Sequence, residues 1–281
     1  MGLGRGARLI ADSGALTSPF TLVDIGARDG IHLRWEPLTA VLDVYGYDAS
    51  VQVASSNPRC HYIKAAIGER DGEARIELYN GYEAKVSSTG STIVAMHRLD
   101  TLYARGELPK ADFIKIDCEG YEPQVLHGAE AYLTASCPLG VDVETTFNVY
   151  PTLPNSHFGE MFKCLNRHDL FVADFAFSSA AGISKLPWPG TCNALFARKF
   201  AKQTDADTIL KMIAVCDIYA LYARARTLIA EYGNLIDSRV DICRLRSAVA
   251  PSKSAALIGE LTHFVPHLGL GVLSTVRRLI K

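Results

Sequence analysis

Residues 20–30 read FTLVDIGARDG. Phe20 to Ile25 is a short, apolar, β-branched run that stops at Gly26, the pattern of a buried strand entering a tight turn. The turn has the form D-x-G-x-x-x-G, from Asp24 through Gly26 to Gly30. Glycines there let the main chain approach a ligand, and open parallel sheets bind ligands beyond the carboxyl ends of their strands. The dinucleotide fingerprint G-x-G-x-x-G is not matched, because Arg28 stands two residues after Gly26 and no third glycine is in register. A pyrophosphate resting on the next helix is therefore not expected.

Reading outward, a helical stretch from about Gly30 leads to a second strand around Val44 to Tyr47, closed by Asp48. A short helix and Asn57-Pro58 precede a third strand in HYIKAAIG, residues 61–68. Asp71-Gly72 and Asn80-Gly81 flank RIELY, and EAKV follows, which reads as a β-hairpin inserted after the third strand. A helix from Leu99 to Arg105 leads to DFIKID, a fourth strand ending at Asp117. In EGYEPQVLHGAEAYL, residues Val125, Leu126, Ala129, Tyr132 and Leu133 recur at helical spacing and Pro123 suits a first turn, so one sheet-packing helix is expected. PLGVDVETTF gives a fifth strand, residues 156–168 a helix, and DLFVADF with NALFARKF a closing pair of strands. This alternation predicts an α/β domain with a doubly wound, Rossmann-like sheet.

From Thr204 the pattern changes to apolar residues at helical spacing, from Ile209 to Ile229, ended by Gly233. At least two more helical pieces follow, broken at Pro251 and Pro266. The expected organisation is an N-terminal extension over 1–18, the α/β domain over 19–200 and a C-terminal helical appendage over 201–281.

Composition narrows the function classes. Hydrophobic residues make up 48% and charged residues 21% of the chain, values of a folded globular protein. With 29 Lys+Arg against 30 Asp+Glu there is no global field to recruit nucleic acid, which is not expected as a partner. The seven cysteines are odd in number and scattered without a C-x-x-C pair, which fits neither a disulfide framework nor a zinc site and points to a reducing cytoplasm. Residues 1–18 carry Arg5, Arg8, Asp12 and several glycines, so no signal peptide is expected. No run of 18 uncharged apolar residues exists, and the final VPHLGLGVLSTVRRLIK suits helix or subunit packing better than a membrane surface. No metal site is expected either: His263 and His267 have helical ligand spacing, but Pro266 between them breaks the helix they need. Ser87-Ser88 lacks the G-x-S-x-G elbow of a nucleophile and is expected to sit in a loop that hydrogen-bonds a cofactor.

Asp24 and Asp48 define a ligand preference. Carboxylates at strand ends suit a ribose diol and a cationic centre better than a phosphate, which fits S-adenosylmethionine, and an acid ending the second strand commonly takes ribose hydroxyls. Lys115 and Asp117 share one parity on a strand that should be buried, where an unpaired ammonium is expensive. Lys115 therefore needs a carboxylate, whether for structure or for substrate orientation. Glu119 and Glu122 open a helix, where acids are favoured by the dipole whatever the function.

The chain further contains, in order, Ala65-Ala66-Ile67-Gly68, Ser87-Ser88, Arg98-Leu99-Asp100-Thr101-Leu102, the string IKIDCEGYE over residues 114–122, Val125-Leu126-His127-Gly128-Ala129 and Val143-Glu144-Thr145-Thr146-Phe147. Over about residues 20–200 this series resembles the FkbM-type S-adenosylmethionine-dependent methyltransferases. The resemblance implies a class I methyltransferase fold, S-adenosylmethionine as methyl donor, and O-methylation of a hydroxyl on a sugar, glycan or natural product. Mapped onto this chain, it assigns the cofactor to Asp24, Gly26, Ala27, Gly30, Asp48, Ala66, Ile67, Ser88 and Asp117. Many members have Asn at the position of Arg28 and Phe-Glu-Pro at Tyr47-Asp48-Ala49; Asp48 keeps the carboxylate, and Arg28 is expected to turn toward Asp29 or the ligand's own carboxylate.

Strand ends that share a crevice should bring Asp117 and Glu144 to the place where methyl group and acceptor meet. The expected catalytic set is Asp117, which orients the methionine end or the acceptor, Glu144, which binds or deprotonates the acceptor hydroxyl, and Lys115, which tunes either. The expected partner is a small-molecule or glycan acceptor, with homo-oligomer contacts through the C-terminal helices. The alternatives are a nicotinamide-dependent oxidoreductase and a non-catalytic, methyltransferase-like scaffold.

Overall fold

The computed structural model describes residues 4–51, 53, 55, 57–79, 83–148, 156–177, 191–199 and 204–250. They form two compact units, one of residues 19–32 and 41–204, the other of residues 1–18, 33–40 and the chain from 205 onward. In chain order the helices are α1 (Arg5–Asp12), α2 (Leu99–Ala104), α3 (Glu122–His127), α4 (Glu130–Ser136), α5 (Phe158–Asn166), α6 (Ala206–Ile218), α7 (Tyr222–Ile236) and α8 (Ile242–Ala248). The strands are β1 (Phe20–Ile25), β2 (Leu42–Asp48), β3 (Cys60–Lys64), β4 (Ala66–Ile67), β5 (Gly72–Tyr79), β6 (Glu83–Val86), β7 (Thr92–His97), β8 (Phe113–Ile116), β9 (Gly140–Thr146), β10 (Leu170–Phe177) and β11 (Thr191–Arg198).

In the first unit a seven-stranded sheet runs in the order β10-β11-β9-β8-β1-β2-β3. The pairings from β9 to β3 are parallel, and β11 is antiparallel to both its neighbours. The order reverses at β1, which lies between β2 and β8, so the switch point of this doubly wound sheet falls at the carboxyl ends of β1 and β8. One sheet face carries Val23, Ile25, Ile114, Ile116, Val141 and Val143, which pack with Val125, Leu126 and Met161 in a single core. By strand alternation the residues between them, Asp24, Lys115 and Asp142, share the other face.

Several sequence expectations need correction. No α-helix follows β1; the stretch after Gly30 is a 3-10 helix, Leu33–Leu38, with Pro37 inside it, and proline removes a donor that a continuing α-helix needs. Between β2 and Asn57-Pro58 the described residues, 49–51, 53 and 55, are not helical. HYIKAAIG is two strands, because a tight turn, in which the Ala65 amide donates to the Ile63 carbonyl, takes the chain out of the large sheet after β3. Ala66 and Ile67 then pair with β7 in a second sheet of order β4-β7-β5-β6. The expected hairpin is present as β5 and β6, antiparallel from Ile76↔Val86 to Tyr79↔Glu83, and β7 is an additional strand. The helix expected over 119–133 is α3 and α4, broken at Gly128, whose carbonyl accepts from the Asp100 amide instead of continuing the helix.

The second unit contains α1, the 3-10 helix and α6 to α8. Asp217 of α6 is fully buried and accepts from the amides of Gly6 and Ala7 at 2.7 and 3.0 Å, capping α1. Asp207 accepts from the Thr17 amide and the Ser18 hydroxyl, both at 2.7 Å. These two acids tie the first 18 residues to the C-terminal helices. The helical appendage is present, but Gly233 does not end it: α7 runs through Gly233, and the break falls earlier, at Ala220 in the left-handed region (φ 59°). The pieces expected beyond Pro251, including His263 and His267, lie outside the described residues.

Candidate active site

The site grows from the pairing of β1, β8 and β9. Asp24 sits opposite Lys115, and Lys115 opposite Asp142, so three ionisable residues form one row across three parallel strands. The Lys115 ammonium lies 3.4 Å from Asp24 Oδ1 and 3.3 Å from Asp117 Oδ2. Burial, which alone would lower the Lys115 pKa, is outweighed by Asp24 and Asp117, and the ammonium is held charged well beyond its ordinary range. Asp24 is 1% exposed. Burial lifts its pKa to about 6 against the pull of Lys115, with the charges of Asp117 and Asp142 adding to the rise.

The turn after β1 closes over this row. Gly26 and Gly30 both adopt positive φ, 92° and 87°, and the amides of Gly26 and Ala27 donate to the Tyr47 carbonyl at the end of β2. A Cβ on Gly26 would meet the Asp117 carbonyl oxygen at 1.8 Å. Tyr62 of β3 lies beneath the turn: a Cβ on Gly46 would strike its ring at 2.6 Å, and one on Gly30 would come to 3.4 Å from its hydroxyl. Arg28 turns to Asp29, donating through Nε at 3.0 Å and a terminal nitrogen at 2.7 Å, one of the two orientations expected of it. Asp48 ends β2 and uses one oxygen, Oδ1, to accept from the Ser50 amide and hydroxyl at 2.6 and 2.9 Å.

Beyond β8 the chain makes an unusual loop. Glu119 is left-handed (φ 57°), as is Gly120 (φ 93°). Glu122 holds that shape: its side chain is fully buried and its Oε1 accepts from the amides of Cys118 and Gly120 at 2.9 and 3.2 Å. The sequence suggested only a helix-opening acid. Here Glu122 positions the loop that presents Asp117 and Glu119. On β9, Glu144 has the parity of Asp142 and faces Asn193 of β11 in register. Burial raises its pKa to about 8, reinforced by Asp117, Glu122 and Glu119, while a hydrogen bond with Thr191 works the other way.

The sequence-predicted residues thus separate into groups. Asp24, Lys115 and Asp117 are joined by ion pairs, Gly26 and Ala27 form the turn beside them, and Glu144 feels the charge of Asp117. Ala66 and Ile67 bury their side chains, Ala66 in the small sheet's core and Ile67 in the main one, and their backbone pairs with β7. Ser88 lies in the turn between β6 and β7, where neighbouring Ser87 and Thr89 hydrogen bond at 2.9 Å. Asp142, Tyr62 and Glu119 were not anticipated. The alternation in Val141-Asp142-Val143-Glu144 was the available signal for Asp142. A groove of about 510 Å³ runs along the edge strand β3, lined by Tyr45, His61, Tyr62 and Glu107 among others, and carries none of the predicted site residues.

The family model for the methyltransferase FkbM domain matches residues 24–170, just over half of the chain and every element from Asp24 to Glu144. The chain belongs to the FkbM methyltransferase family. S-adenosylmethionine is the cofactor this assignment implies, in agreement with the carboxylate-lined switch point. Similar solved structures include a methyltransferase FkbM from Methylobacillus flagellatus KT, 15% identical, with a TM-score of 0.40, covering 63% of this chain and 43% of that one. This chain therefore spans less than half the length of that relative. The 1,6-didemethyltoxoflavin-N1-methyltransferase of Burkholderia thailandensis is 14% identical, with a TM-score of 0.35, over 70% of this chain and 77% of that one. A TehB-like SAM-dependent methyltransferase from Corynebacterium glutamicum is 12% identical, with a TM-score of 0.30, over 70% and 88%. No curated protein matches. The FkbM domain so defined ends before β11 and the C-terminal helices.

Proposed function

We propose that this FkbM methyltransferase is an O-methyltransferase that moves the methyl group of S-adenosylmethionine to a hydroxyl of a sugar, glycan or other natural product. The observation that carries the reading is the ion-paired set Asp24, Lys115 and Asp117 at the switch point, with the half-buried acid Glu144 within the electrostatic reach of Asp117. When bound, the cofactor supplies a methyl group on a cationic sulfur. Two aspartates around one ammonium leave this crevice with surplus negative charge, which suits a cation. Gly26, Ala27 and Gly30 offer main chain in a turn without a pyrophosphate cradle, and Asp48, with Oδ1 taken by Ser50, has Oδ2 to meet a ribose.

Transfer from a cationic donor asks the protein for alignment, exclusion of water and removal of one proton. Asp117 is fixed by Lys115 and by its amide, which donates to the Ile25 carbonyl at 2.9 Å, and it orients the ligands. Glu144, in its ionised form, takes the hydroxyl proton. Lys115 holds Asp24 and Asp117 at fixed separation and stays charged throughout.

Residues 19–200 are read as the methyltransferase domain and 201–281 as an appendage suited to subunit contacts, with a small-molecule or glycan acceptor as the partner. Seven free thiols fit a reducing cytoplasm, and among the described residues no helix is long and apolar enough to cross a membrane. The test is calorimetry with S-adenosylhomocysteine and with NAD on the full chain. Micromolar binding of the first alone supports the reading, and equal or tighter NAD binding overturns it.

A further inference from the structure

We propose that Glu130, Cys164 and His168 form a binding site for a zinc-class divalent ion, separate from the methyl-transfer crevice. Glu130 is the first residue of α4, Cys164 lies in the second half of α5, and His168 follows four residues later, just past the helix end. One ligand atom from each lies within 4.8 Å of the other two. In a tetrahedral zinc site with bonds of about 2.0–2.3 Å, ligand atoms stand roughly 3.3–3.8 Å apart, so a contraction of about 1 Å completes the geometry. Thiolate, imidazole and carboxylate together favour zinc over magnesium or calcium.

The histidine is already oriented for the task. Thr134 donates its hydroxyl proton to the Glu130 carbonyl at 3.0 Å, so toward His168 Nδ1, 3.4 Å away, the same oxygen acts as an acceptor. Nδ1 then carries the N–H, as in metal-binding histidines oriented by an outer partner. Nε2 points at Glu130 Oε2, 3.1 Å away. A lone pair facing a carboxylate needs a cation between them, either a proton or a metal ion. Cys164 is 5% exposed, and its sulfur lies 3.8 Å from Glu130 Oε1, which also accepts from Arg167 at 2.6 Å. The Arg167 side chain is 64% exposed and can leave into solvent. It is the competitor that an incoming ion displaces.

Binding forms one bond each to sulfur, nitrogen and oxygen, with water as a fourth ligand. The thiol proton, and any proton on Nε2, go to solvent. The test is titration of the reduced, metal-free full chain with Co²⁺, followed by competition with Zn²⁺. The expected result is a thiolate-to-cobalt charge-transfer band that saturates near one equivalent and is removed by zinc. It should be lost in Cys164→Ser, weaken in affinity about tenfold in Thr134→Val, and strengthen in Arg167→Ala, an exposed change whose fold circular dichroism verifies. No band in either the parent chain or Arg167→Ala overturns the proposal. So does a band that persists in Cys164→Ser, which would place the ion on another of the seven cysteines.

Discussion

The Asp117 carbonyl oxygen lies 1.8 Å from the point that a Cβ on Gly26 would occupy. The turn after β1 therefore closes directly against the end of β8, and Gly26 serves this backbone approach as well as any ligand. A methyl group here would wedge apart the two strand ends that hold Asp24 and Asp117 around Lys115. Gly26→Ala is expected to lose roughly 2–4 kcal/mol of stability, combining positive-φ strain with overpacking against main chain, and to lose cofactor binding. Urea unfolding measures the first; an unchanged midpoint would show that the turn can move aside.

Lys115 is the cation between two acids, and its side chain is 17% exposed. Lys115→Met keeps the bulk and removes the charge, leaving Asp24 buried without its partner. Removing one member of a buried pair costs about 3–5 kcal/mol, and the variant should unfold correspondingly earlier in denaturant. Near-parental stability would mean that Asp24 is accommodated by other donors.

The elevated Asp24 pKa sets a stability profile. An acid with a pKa of about 6 in the folded chain and 3.8 unfolded binds more protons when folded between those values. Its contribution is complete below pH 3.8 and is lost as pH rises through 6. Asp24→Asn should flatten stability by roughly 3 kcal/mol across that window. Denaturant titrations at several pH values check it, and an identical slope in both proteins would remove Asp24 as the source.

The main sheet was legible because its strands are apolar runs punctuated by single charged residues: Asp24 among Leu22, Val23 and Ile25, Lys115 among Ile114 and Ile116. The breaks were not. Gly128 leaves the hydrophobic periodicity of 119–133 intact, and its purpose is tertiary: a Cβ there would meet the Gly68 carbonyl oxygen at 1.9 Å. Asp100, part of a recognisable motif, is a structural residue that accepts from the Tyr132 amide at 2.8 Å in the first turn of α4. Gly233 misled because glycine ends many helices, yet its carbonyl accepts from Asp237 within a continuing one. In the site, Lys115 was expected to find a carboxylate, and it finds two. The alternation around Asp142 shows its parity in the sequence, but only the pairing register sets it opposite Lys115.

Asp48 accepts from Ser50 through Oδ1, which fixes the carboxylate at the end of β2. Asp48→Ala is expected to weaken S-adenosylhomocysteine binding by roughly 1–3 kcal/mol, the scale for losing charge-assisted hydrogen bonds. Calorimetry at fixed pH measures it, and unchanged affinity would exclude Asp48 from the ribose contact.

Glu144 carries the sharpest prediction, because its environment gives a pH signature as well as a position. With a pKa raised to about 8 by burial and by Asp117, Glu122 and Glu119, it is mostly protonated at neutral pH. A base must be ionised to accept the hydroxyl proton. Methyl transfer should therefore rise about tenfold per pH unit below that value and level off above it. A bound cationic donor favours the carboxylate, so the limb in kcat should lie lower than the limb in kcat/KM. Glu144→Gln keeps the shape, should leave cofactor affinity nearly intact, and should lower transfer on the order of 100-fold while abolishing the limb. Its stability moves in the opposite sense. An acid with a raised folded pKa contributes fully below its unfolded value of 4.5 and loses that contribution as pH rises through about 8, so the glutamine variant should be no less stable than the parent at alkaline pH. That separates a lost base from a lost fold. A glutamine variant that transfers methyl groups at the parental rate, or that keeps the same pH limb, would leave Glu144 as a structural partner of Thr191 and move the search for the base to Asp117 or Glu119.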